Sequence, residues 1–499
     1  MSHSRAIFSN TVTQVLGKVL TAIFGIAAVK ILTSYLGKES YGAYNTVYIY
    51  LSFFSIVADL GIYTIAVREM ARKKERIAEV FGNIVSIRTV LSIVVVLIAC
   101  VMAYFIPQYR ESIILMGILI SAPGTIISLI NGVIVSIFQT TLKMQYSTLS
   151  LLIGKILSVG SLILIAYVLF PEAPTGDRTA FYAAMTAGLI SSIGLILTTL
   201  FYARRIVSVS YRFDWAVWKE LIKESLPFGI ALILGTVYLK VDGLMLSLMK
   251  GNAEVGLYSA ATKAIEVLNV LPVMIVSTVL PVMTEYYQEK SGKLSTLLRD
   301  TLSVLTVIAW PVLVGLWVTS YQVIATIATP EFVSDRTIGF VGSDAALKVL
   351  SISLFLSFIN SLFIYLLITV GLQKKLLWIN GSAVVINILL NLVLIPQGGF
   401  VAASWTTVFS EALVLGFTFY YGYRAVKFPI DWIRLAKIIL SGVAMGLVLL
   451  YAKEPVISAL ENKGIIILVA LGGIVYAAGL LLTRAFTFGE LKTILKKDS

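Results

Sequence analysis

Ionisable side chains stand inside the long apolar stretches of this sequence, where charge is expensive. The basic members are Lys18, Lys30, Arg88, Lys155, Lys240 and Lys263, and the acidic members are Asp59, Asp242, Glu266 and Glu411. A charge at the centre of a membrane span costs about 2.5–3.5 kcal/mol on insertion scales, so ten lipid-facing charges would cost about 25 kcal/mol or more. Most of these residues must therefore face a partner or a water-filled cavity.

The basic residues of this set suit an anionic ligand such as a phosphate group. The predicted cationic site comprises Lys18, Arg88, Lys155, Lys240 and Lys263. Lysine follows a moving phosphate as a point charge, and arginine offers a planar fork of donors. Competing interpretations remain, because Arg88 lies near a span end and can reach the interface. Lys263 stands three residues before Glu266 on one helical face, so these two can pair with each other.

The acidic residues are the candidates for coupling to an ion gradient. The only histidine, His3, lies near the N-terminus, so a proton or sodium ion would use carboxylates within the spans. The predicted coupling residues are Asp59, Asp242, Glu266 and Glu411. Lys240 and Asp242 are two residues apart and point to different sides of a helix, so each needs a partner elsewhere.

Three asparagines share one face of a predicted helix. Asn380, Asn387 and Asn391 are spaced by seven and four residues, which is the repeat of a helical stripe. Their amides can hydrogen-bond the hydroxyl groups of a sugar. Alternatively, they join neighbouring helices through hydrogen bonds, as polar residues in membrane proteins often do.

Enzyme motifs and metal-binding patterns are missing from the sequence. There is no phosphate-binding loop, no Gly-x-Ser-x-Gly, no His-Glu-x-x-His and no Cys-x-x-Cys. With one histidine and one cysteine, Cys100, no metal site, cofactor or internal disulfide is predicted. The protein is therefore not expected to be an enzyme.

The elements that carry these residues are membrane-spanning helices. Of 499 residues, 58% are hydrophobic and 13% charged, whereas a soluble domain has about 25% charged residues. We predict an all-α polytopic membrane protein with about fourteen transmembrane helices. The predicted spans are 11–34, 42–67, 83–106, 112–138, 146–170, 180–203, 226–249, 256–283, 301–328, 347–371, 376–396, 399–423, 435–452 and 464–483.

The distribution of Lys and Arg predicts the orientation of the spans. The net charge of +13 would also suit nucleic acid. However, about 25 basic residues fall in the alternate connections on one side and about 8 on the other, which places both termini in the cytoplasm. No nucleic-acid partner is therefore predicted.

The connection between the two halves reads as an amphipathic helix. Trp215, Trp218 and Ile222 are predicted on one face, and Asp214 is a candidate N-cap. We predict an N-lobe at 1–205, an amphipathic cytoplasmic linker at 206–225, and a C-lobe at 226–424. Residues 425–499 add two further helices and an amphipathic tail, in which Phe488, Leu491 and Leu495 share a face.

An internal repeat and several motifs point to a family. A Gly-x-Tyr turn occurs at Gly42 and again at Gly256, about 214 residues later, and duplicated halves are typical of transporters. The motifs are Tyr35-Leu36-Gly37, Ala58-Asp59-Leu60-Gly61 and Arg68-Glu69, then Tyr238-Leu239-Lys240-Val241-Asp242, Val255-Gly256-Leu257-Tyr258 and Leu280-Pro281. In order and spacing they resemble the polysaccharide-biosynthesis flippases of the Wzx type, in the MATE-like multidrug/oligosaccharidyl-lipid/polysaccharide exporter superfamily.

The resemblance implies a fold and a function. The fold would be two six-helix lobes in a V, related by a pseudo-two-fold axis and working by alternating access. The substrate would be an isoprenoid-pyrophosphate-linked oligosaccharide, flipped from the cytoplasmic to the outer leaflet of the cytoplasmic (inner) membrane. Further partners would be membrane lipid and a glycan polymerase or glycosyltransferases. The alternative is a MATE-type multidrug/cation antiporter, for which acids and aromatic residues should dominate the cavity. A scaffold or polymerase is a third class, but the longest outer loop, 329–346, is too short for a domain.

Overall fold

The computed structural model describes residues 3–72, 77–171, 173, 175–461 and 464–485, with side chains from Gly17 onward. The amphipathic tail predicted around Phe488 and the basic residues Lys73, Lys74 and Arg76 lie outside the described residues. Within these ranges the regular secondary structure is helical, apart from an isolated β-bridge between Asp335 and Phe340. The all-α prediction is confirmed.

Fifteen α-helices are found in the described ranges. They are α1 (His3–Asp59), α2 (Ile62–Arg72), α3 (Ile77–Tyr104), α4 (Pro107–Arg110), α5 (Ile113–Thr140), α6 (Met144–Leu164), α7 (Arg178–Ala203), α8 (Trp215–Met249), α9 (Asn252–Leu268), α10 (Val270–Gln288), α11 (Lys293–Ile327), α12 (Ser343–Thr369), α13 (Gln373–Ala425), α14 (Trp432–Leu460) and α15 (Gly464–Leu482). A short π-helical turn, Ile165–Leu169, extends α6.

Twelve helical stretches of the described residues are long and apolar enough to cross a membrane, which makes the protein multi-pass. Two of them, Gly17–Arg72 and Gln373–Ala425, have 56 and 53 residues. About 20 residues suffice for one crossing, so each of these is long enough for two. Each also bends at a glycine with non-helical angles, Gly37 at φ 70° and Gly399 at φ 54°. Fourteen crossings, with two in each bent helix, stay a prediction.

One predicted span is interrupted. The sequence analysis predicts a continuous helix over 42–67, but α1 ends at Asp59 and α2 begins at Ile62. The two residues between them are left-handed, with φ 45° at Leu60 and φ 76° at Gly61. Glycine adopts this conformation without strain, which is why it often ends helices. Position 61 also lacks room for a side chain, because a Cβ on Gly61 would lie 2.8 Å from Cβ of Phe228.

The chain divides into two compact units, Met1–Ser259 and Ala260–Ser499. In unit 1, α7 packs on α5 and α6, and α1 packs on α5, α6 and α8. In unit 2, α12 packs on α11 and α13, and α15 packs on α14 and α11. The lobe boundaries predicted at 1–205, 206–225, 226–424 and 425–499 stay a prediction.

Each unit is filled by apolar side chains and also exposes them. In unit 1, Phe81 of α3 and Phe138 of α5 are fully buried, while Leu97 and Val101 of α3 are 57% and 60% exposed. Lipid is as apolar as these side chains, so close packing rather than exclusion from water holds such helices together. The exposed apolar faces are therefore the surfaces that meet lipid.

The linker helix begins where predicted but runs further. The Asp214 carboxylate accepts hydrogen bonds from the backbone N–H groups of Ala216 (2.9 Å) and Val217 (3.3 Å), which confirms the N-cap. The helix α8 then continues without a break into the span that was predicted to begin at 226. The two tryptophans differ in burial, because Trp215 is 65% exposed whereas Trp218 is buried beside Phe213. The predicted position of this face at the membrane interface stays a prediction. The buried stripe runs through Trp218, Leu221 and Ser225 because that side faces the neighbouring helices.

Candidate functional site

The side chain of Arg88, on α3, is buried against the C-terminal end of α1. Its Nη1 lies 2.6 Å from Oδ1 of Asp59 and donates to the carbonyl oxygen of Ala58 at 2.8 Å. Its Nε donates to the carbonyl oxygen of Leu129 at 3.0 Å. The last carbonyls of a helix have no partner within it and attract cations, so the break after Asp59 creates this arginine site. Sequence analysis left Arg88 open between a cavity and the interface, and the structure places it inside unit 1.

A cavity of about 330 Å³ lies beside Arg88. The residues that line it come from α1, α3, α5 and α7, all within unit 1. They are Tyr48, Leu51, Ser52, Ser55, Arg88, Ser121, Gly124, Thr125, Ser128, Leu129, Gly188, Leu189 and Ser192. Seven of these residues carry a hydroxyl group, and Arg88 supplies the charge in the lining. Such a surface can both donate and accept hydrogen bonds.

Lys18 and Lys155 lie on two helices that pack against each other, α1 and α6. The contact is close at Gly17, where an added Cβ would collide with Thr148 of α6. Lys155 follows Thr148 by about two helical turns. Two of the five predicted cationic residues are therefore carried by neighbouring helices of unit 1.

Lys240 and Asp242 lie in the second half of α8. Asp242 is buried, and its Oδ2 accepts a hydrogen bond from the hydroxyl of Tyr258 at 2.9 Å. Lys240 is half-buried. The two side chains differ in environment, as expected for residues two apart on a helix.

The two Gly-x-Tyr turns of the internal repeat contact each other within unit 1. A Cβ on Gly42 would overlap the carbonyl oxygen of Asn252, and a Cβ on Gly256 would overlap the carbonyl oxygen of Lys38. Lys38 precedes Gly42 by the same four residues by which Asn252 precedes Gly256. Such reciprocal contacts arise when two equivalent segments meet about a two-fold axis.

Lys263 and Glu266 pair with each other in unit 2. The Nζ of Lys263 donates to Oε2 of Glu266 at 2.8 Å, and both side chains are about two-fifths exposed. This is the ion pair that their spacing on α9 allowed.

Glu411 and the asparagines of unit 2 belong to two sets of hydrogen bonds. In the first, Asn360 of α12 donates to Oε1 of Glu411 at 3.0 Å and accepts from the hydroxyl of Thr418 at 2.8 Å. In the second, Asn387 donates to Ser410 at 3.2 Å, and Asn391 donates to Asn387 at 3.0 Å. The first set joins α12 to α13, and the second joins the two arms of α13 on either side of Gly399, while Asn380 is only half-buried. Asn387 and Asn391 therefore join helical segments through hydrogen bonds, which is the second interpretation given for the asparagines.

The hydroxyl residues of the unit 1 cavity were missed by the sequence analysis. The sequence contains a signal for them, because they recur at helical spacing on two helices, α1 and α5, and a further serine lies on α7. These residues are Ser52 and Ser55 on α1, Ser121, Thr125 and Ser128 on α5, and Ser192 on α7. Spacings of three and four put side chains on one face, but serine and threonine are common within membrane helices.

The fold is shared with solved membrane transport proteins. The structure of the lipid II flippase MurJ in an inward closed conformation matches with a TM-score of 0.73 and 16% identity, covering 95% of this chain and 98% of that chain. An inward-facing multidrug resistance MATE family transporter of the MOP superfamily matches with 0.62 and 15% identity, covering 85% and 95%. A MOP superfamily transporter from Pyrococcus furiosus matches with 0.57 and 15% identity, covering 87% and 96%. The protein therefore has the helical fold of MurJ and the MATE transporters.

The family is shown by sequence. A profile of polysaccharide biosynthesis proteins matches residues 7–287, which is more than half of the chain. No match was found among curated proteins. The chain belongs to the family of polysaccharide biosynthesis proteins, and the family expected from the motifs is confirmed.

Proposed function

We propose that this protein flips an isoprenoid-pyrophosphate-linked oligosaccharide from the cytoplasmic to the outer leaflet of the cytoplasmic membrane by alternating access. The observation that carries the proposal is the excess of basic over acidic residues on the spans, six against four. A pyrophosphate carries several negative charges and is bound by such residues. Family membership and the fold support the same function.

The proposed pyrophosphate site is formed by lysines from both halves of the sequence. Lys18 and Lys155 are carried by packed helices of unit 1, Lys240 lies on α8, and Lys263 lies on α9. Arg88, the weaker member of the predicted cationic set, is not included in the proposed pyrophosphate site because Asp59 compensates its charge. The isoprenoid tail remains in lipid, while Asn380, Asn387 and Asn391 are candidate sugar contacts.

Transport is proposed to be coupled to a proton or sodium gradient. The candidate residues are Asp59, Asp242, Glu266 and Glu411. Each carboxylate has a nearby polar partner, as for Asp242 with Tyr258 and Glu411 with Asn360. Binding of an ion at a carboxylate would exchange such partners and so favour one conformation over another.

The alternative function is a MATE-type antiporter of drugs or cations, since the same fold serves multidrug transporters. Purified protein in proteoliposomes separates the two. We expect a fluorescent isoprenoid-diphosphate-linked glycan to change leaflets, as measured by its accessibility to a membrane-impermeant quencher. Uptake of the cation ethidium without movement of the glycan lipid would instead support the antiporter.

Both termini are proposed to lie in the cytoplasm, on the side where basic residues crowd the connections. A glycan polymerase or glycosyltransferases of the same pathway are proposed as partners. In cells, deletion of the gene should remove the surface polysaccharide, and normal polysaccharide in the deletion strain would contradict the proposal.

A further inference from the structure

The cavity beside Arg88 has the size of a small ligand site. Its volume of about 330 Å³ falls at the lower end of the range of ligand pockets, about 300–1,000 Å³. Every residue in its lining belongs to unit 1, and most lie on α1, α5 and α7. The cavity is thus a feature of a single helical bundle.

The hydroxyl groups of the lining are arranged mainly as acceptors. Ser52 and Ser55 donate to the carbonyl oxygens of Ile49 (2.6 Å) and Leu51 (2.8 Å) on their own helix. Thr125 donates in the same way to Ser121 at 3.0 Å. A hydroxyl that has donated its one hydrogen keeps lone pairs, so these oxygens can accept hydrogen bonds from a ligand.

The charge of the lining is balanced. The guanidinium of Arg88 is paired with Asp59 at 2.6 Å, so the two groups together carry no net charge. A diphosphate would need an excess of positive charge, and an organic cation would need an excess of negative charge. A neutral polar molecule fits better.

The lining also includes apolar surface. Leu51, Leu129 and Leu189 belong to it. A sugar ring has hydroxyl groups that donate and accept, together with an apolar C–H face. The lining offers acceptors, an arginine donor and apolar contact for the same ring.

We propose that this cavity binds one neutral sugar ring of the transported glycan, with Arg88 as a donor and Ser52, Ser55, Thr125 and Ser128 as partners of the hydroxyl groups. The identification of the ring as part of the transported glycan rests on the function proposed above. The assignment to a neutral sugar rests on the cavity itself. The site lies in unit 1, and the asparagines on α13 remain candidate contacts for other sugars of the glycan.

Saturation-transfer NMR on the full-length protein in nanodiscs tests the cavity directly. The probes are methyl glucoside, methyl galactoside and methyl N-acetylglucosaminide, with inorganic diphosphate and tetraphenylphosphonium as the anionic and cationic competitors. We expect at least one glycoside to give a transfer signal that neither competitor removes. The proposal is overturned if the site binds only diphosphate or only the cation. It is also overturned if the protein gives no glycoside signal.

Two variants test whether the glycoside signal comes from the cavity. Ser128→Leu fills the cavity, and Thr198→Leu is the matched control on α7, where the threonine hydroxyl donates to Gly194 outside the lining. We expect about tenfold weaker glycoside binding in Ser128→Leu, because hydrogen-bond partners and volume are lost, and unchanged binding in the control. An equal effect of both variants contradicts the location.

Gly124→Ala is a smaller change, which still tests the site if Ser128→Leu does not fold. In Gly124→Ala the new methyl group would lie 3.4 Å from Cα of Leu189 and from Oγ of Ser192, an ordinary contact. This variant should fold and still bind the glycoside less tightly; wild-type affinity in folded Gly124→Ala and Ser128→Leu proteins would refute the site.

The flipping assay separates this inference from the proposed function. If the wild type and Ser128→Leu both flip the lipid normally and no glycoside signal is seen, the cavity site is rejected and the transport function is retained. If glycoside binding depends on Ser128 but no lipid-linked glycan is flipped, the transport function is rejected and the sugar site is retained.

Discussion

Arg88 and Asp59 form an ion pair inside unit 1. The guanidinium is held by the carboxylate and by two backbone carbonyl oxygens, and the Arg88 side chain is 4% exposed. A buried ion pair adds little to stability compared with apolar residues, but removal of one partner leaves a buried charge uncompensated. The pair therefore fixes the end of α1 beside α3 more than it adds to the free energy of unfolding.

The first prediction follows from this asymmetry. Arg88→Gln should reduce the free energy of unfolding by about 1.5–3 kcal/mol, because Asp59, which is 18% exposed, loses its charge-assisted partner. The double variant Arg88→Gln/Asp59→Asn should be more stable than Arg88→Gln. Thermal unfolding in detergent measures both, with Lys30→Gln as a control at an exposed lysine of α1. A double variant that is no more stable than the single one would show that the pairing is unimportant.

The second prediction concerns the four lysines proposed to bind pyrophosphate. We expect at least two of the variants Lys18→Gln, Lys155→Gln, Lys240→Gln and Lys263→Gln to lose flipping by about tenfold or more while folding persists, since each lost charge–phosphate contact is worth about 1.5–3 kcal/mol. The flipping assay measures this in proteoliposomes, and Lys30→Gln is again the control.

Lys263 requires a second variant because it pairs with Glu266 at 2.8 Å. If pairing alone matters, Lys263→Gln/Glu266→Gln should restore function. Normal flipping by a stable variant without Lys155, Lys240 and Lys263 would contradict the cationic site as a whole.

The third prediction concerns ion coupling. Amide variants of Asp59, Asp242, Glu266 and Glu411 keep the shape of the side chain but cannot carry the charge that binds a cation. At least one should make flipping independent of an imposed proton or sodium gradient. Glu39→Gln, at an exposed carboxylate of α1, serves as the control. Full gradient dependence in all four variants would exclude coupling through these carboxylates.

Among the elements, the contact of the two Gly-x-Tyr turns links the halves of the repeat. Each glycine lies against the backbone of the other turn, which cannot rotate away as a side chain could. The contact requires glycine for lack of space at both positions. Because α1 and α9 meet here, a side chain added at either glycine would push the two helices apart.

The fourth prediction tests this contact. Gly42→Ala and Gly256→Ala should each lower flipping by about tenfold or more, because a clash with backbone of about 1.4 kcal/mol or more disfavours the packed turns. Gly25→Ala is the matched control, since a Cβ there meets nothing within 4 Å. Wild-type rates for Gly42→Ala would show that the packed turns play no part in transport.

At the scale of the whole molecule, the fifth prediction concerns topology. Reporter fusions at Asn252 and Gly398 should read outside, and fusions at Lys74 and Lys374 inside, because basic residues are retained in the cytoplasm. Alkaline phosphatase activity and fluorescence of a fused green fluorescent protein report the two sides. An outside signal at Lys74 would overturn the arrangement and with it the count of crossings.

The internal repeat also makes an expectation for the whole molecule. The predicted lobes at 1–205 and 226–424 should superpose, with the helices after 425 outside the symmetry. The reciprocal contact at Gly42 and Gly256 supports this expectation within unit 1.

The sequence by itself determined the all-helical membrane class and the family, because these depend on local properties. Hydropathy and length identify membrane helices wherever the chain lies, and the Asp214 cap and the Lys263–Glu266 pair involve residues at most three apart. The motifs that indicated the family are likewise short. For such features the neighbours in the chain are the neighbours in space.

Only the tertiary structure decided which residues meet across helices. Nothing in the spacing of Asp59 and Arg88 selects them as partners, and the end of α1 at Asp59 depends on contacts with α3 and α8. The orientation of α8 buried Trp218 and left Trp215 exposed, although both are tryptophans on one turn of helix. The hydroxyl groups of the cavity come together from α1, α5 and α7, and each helix alone shows only ordinary serine and threonine residues. The physical reason is that a helix offers several faces, and the packing of its neighbours decides which face is buried, which is exposed and which lines a cavity.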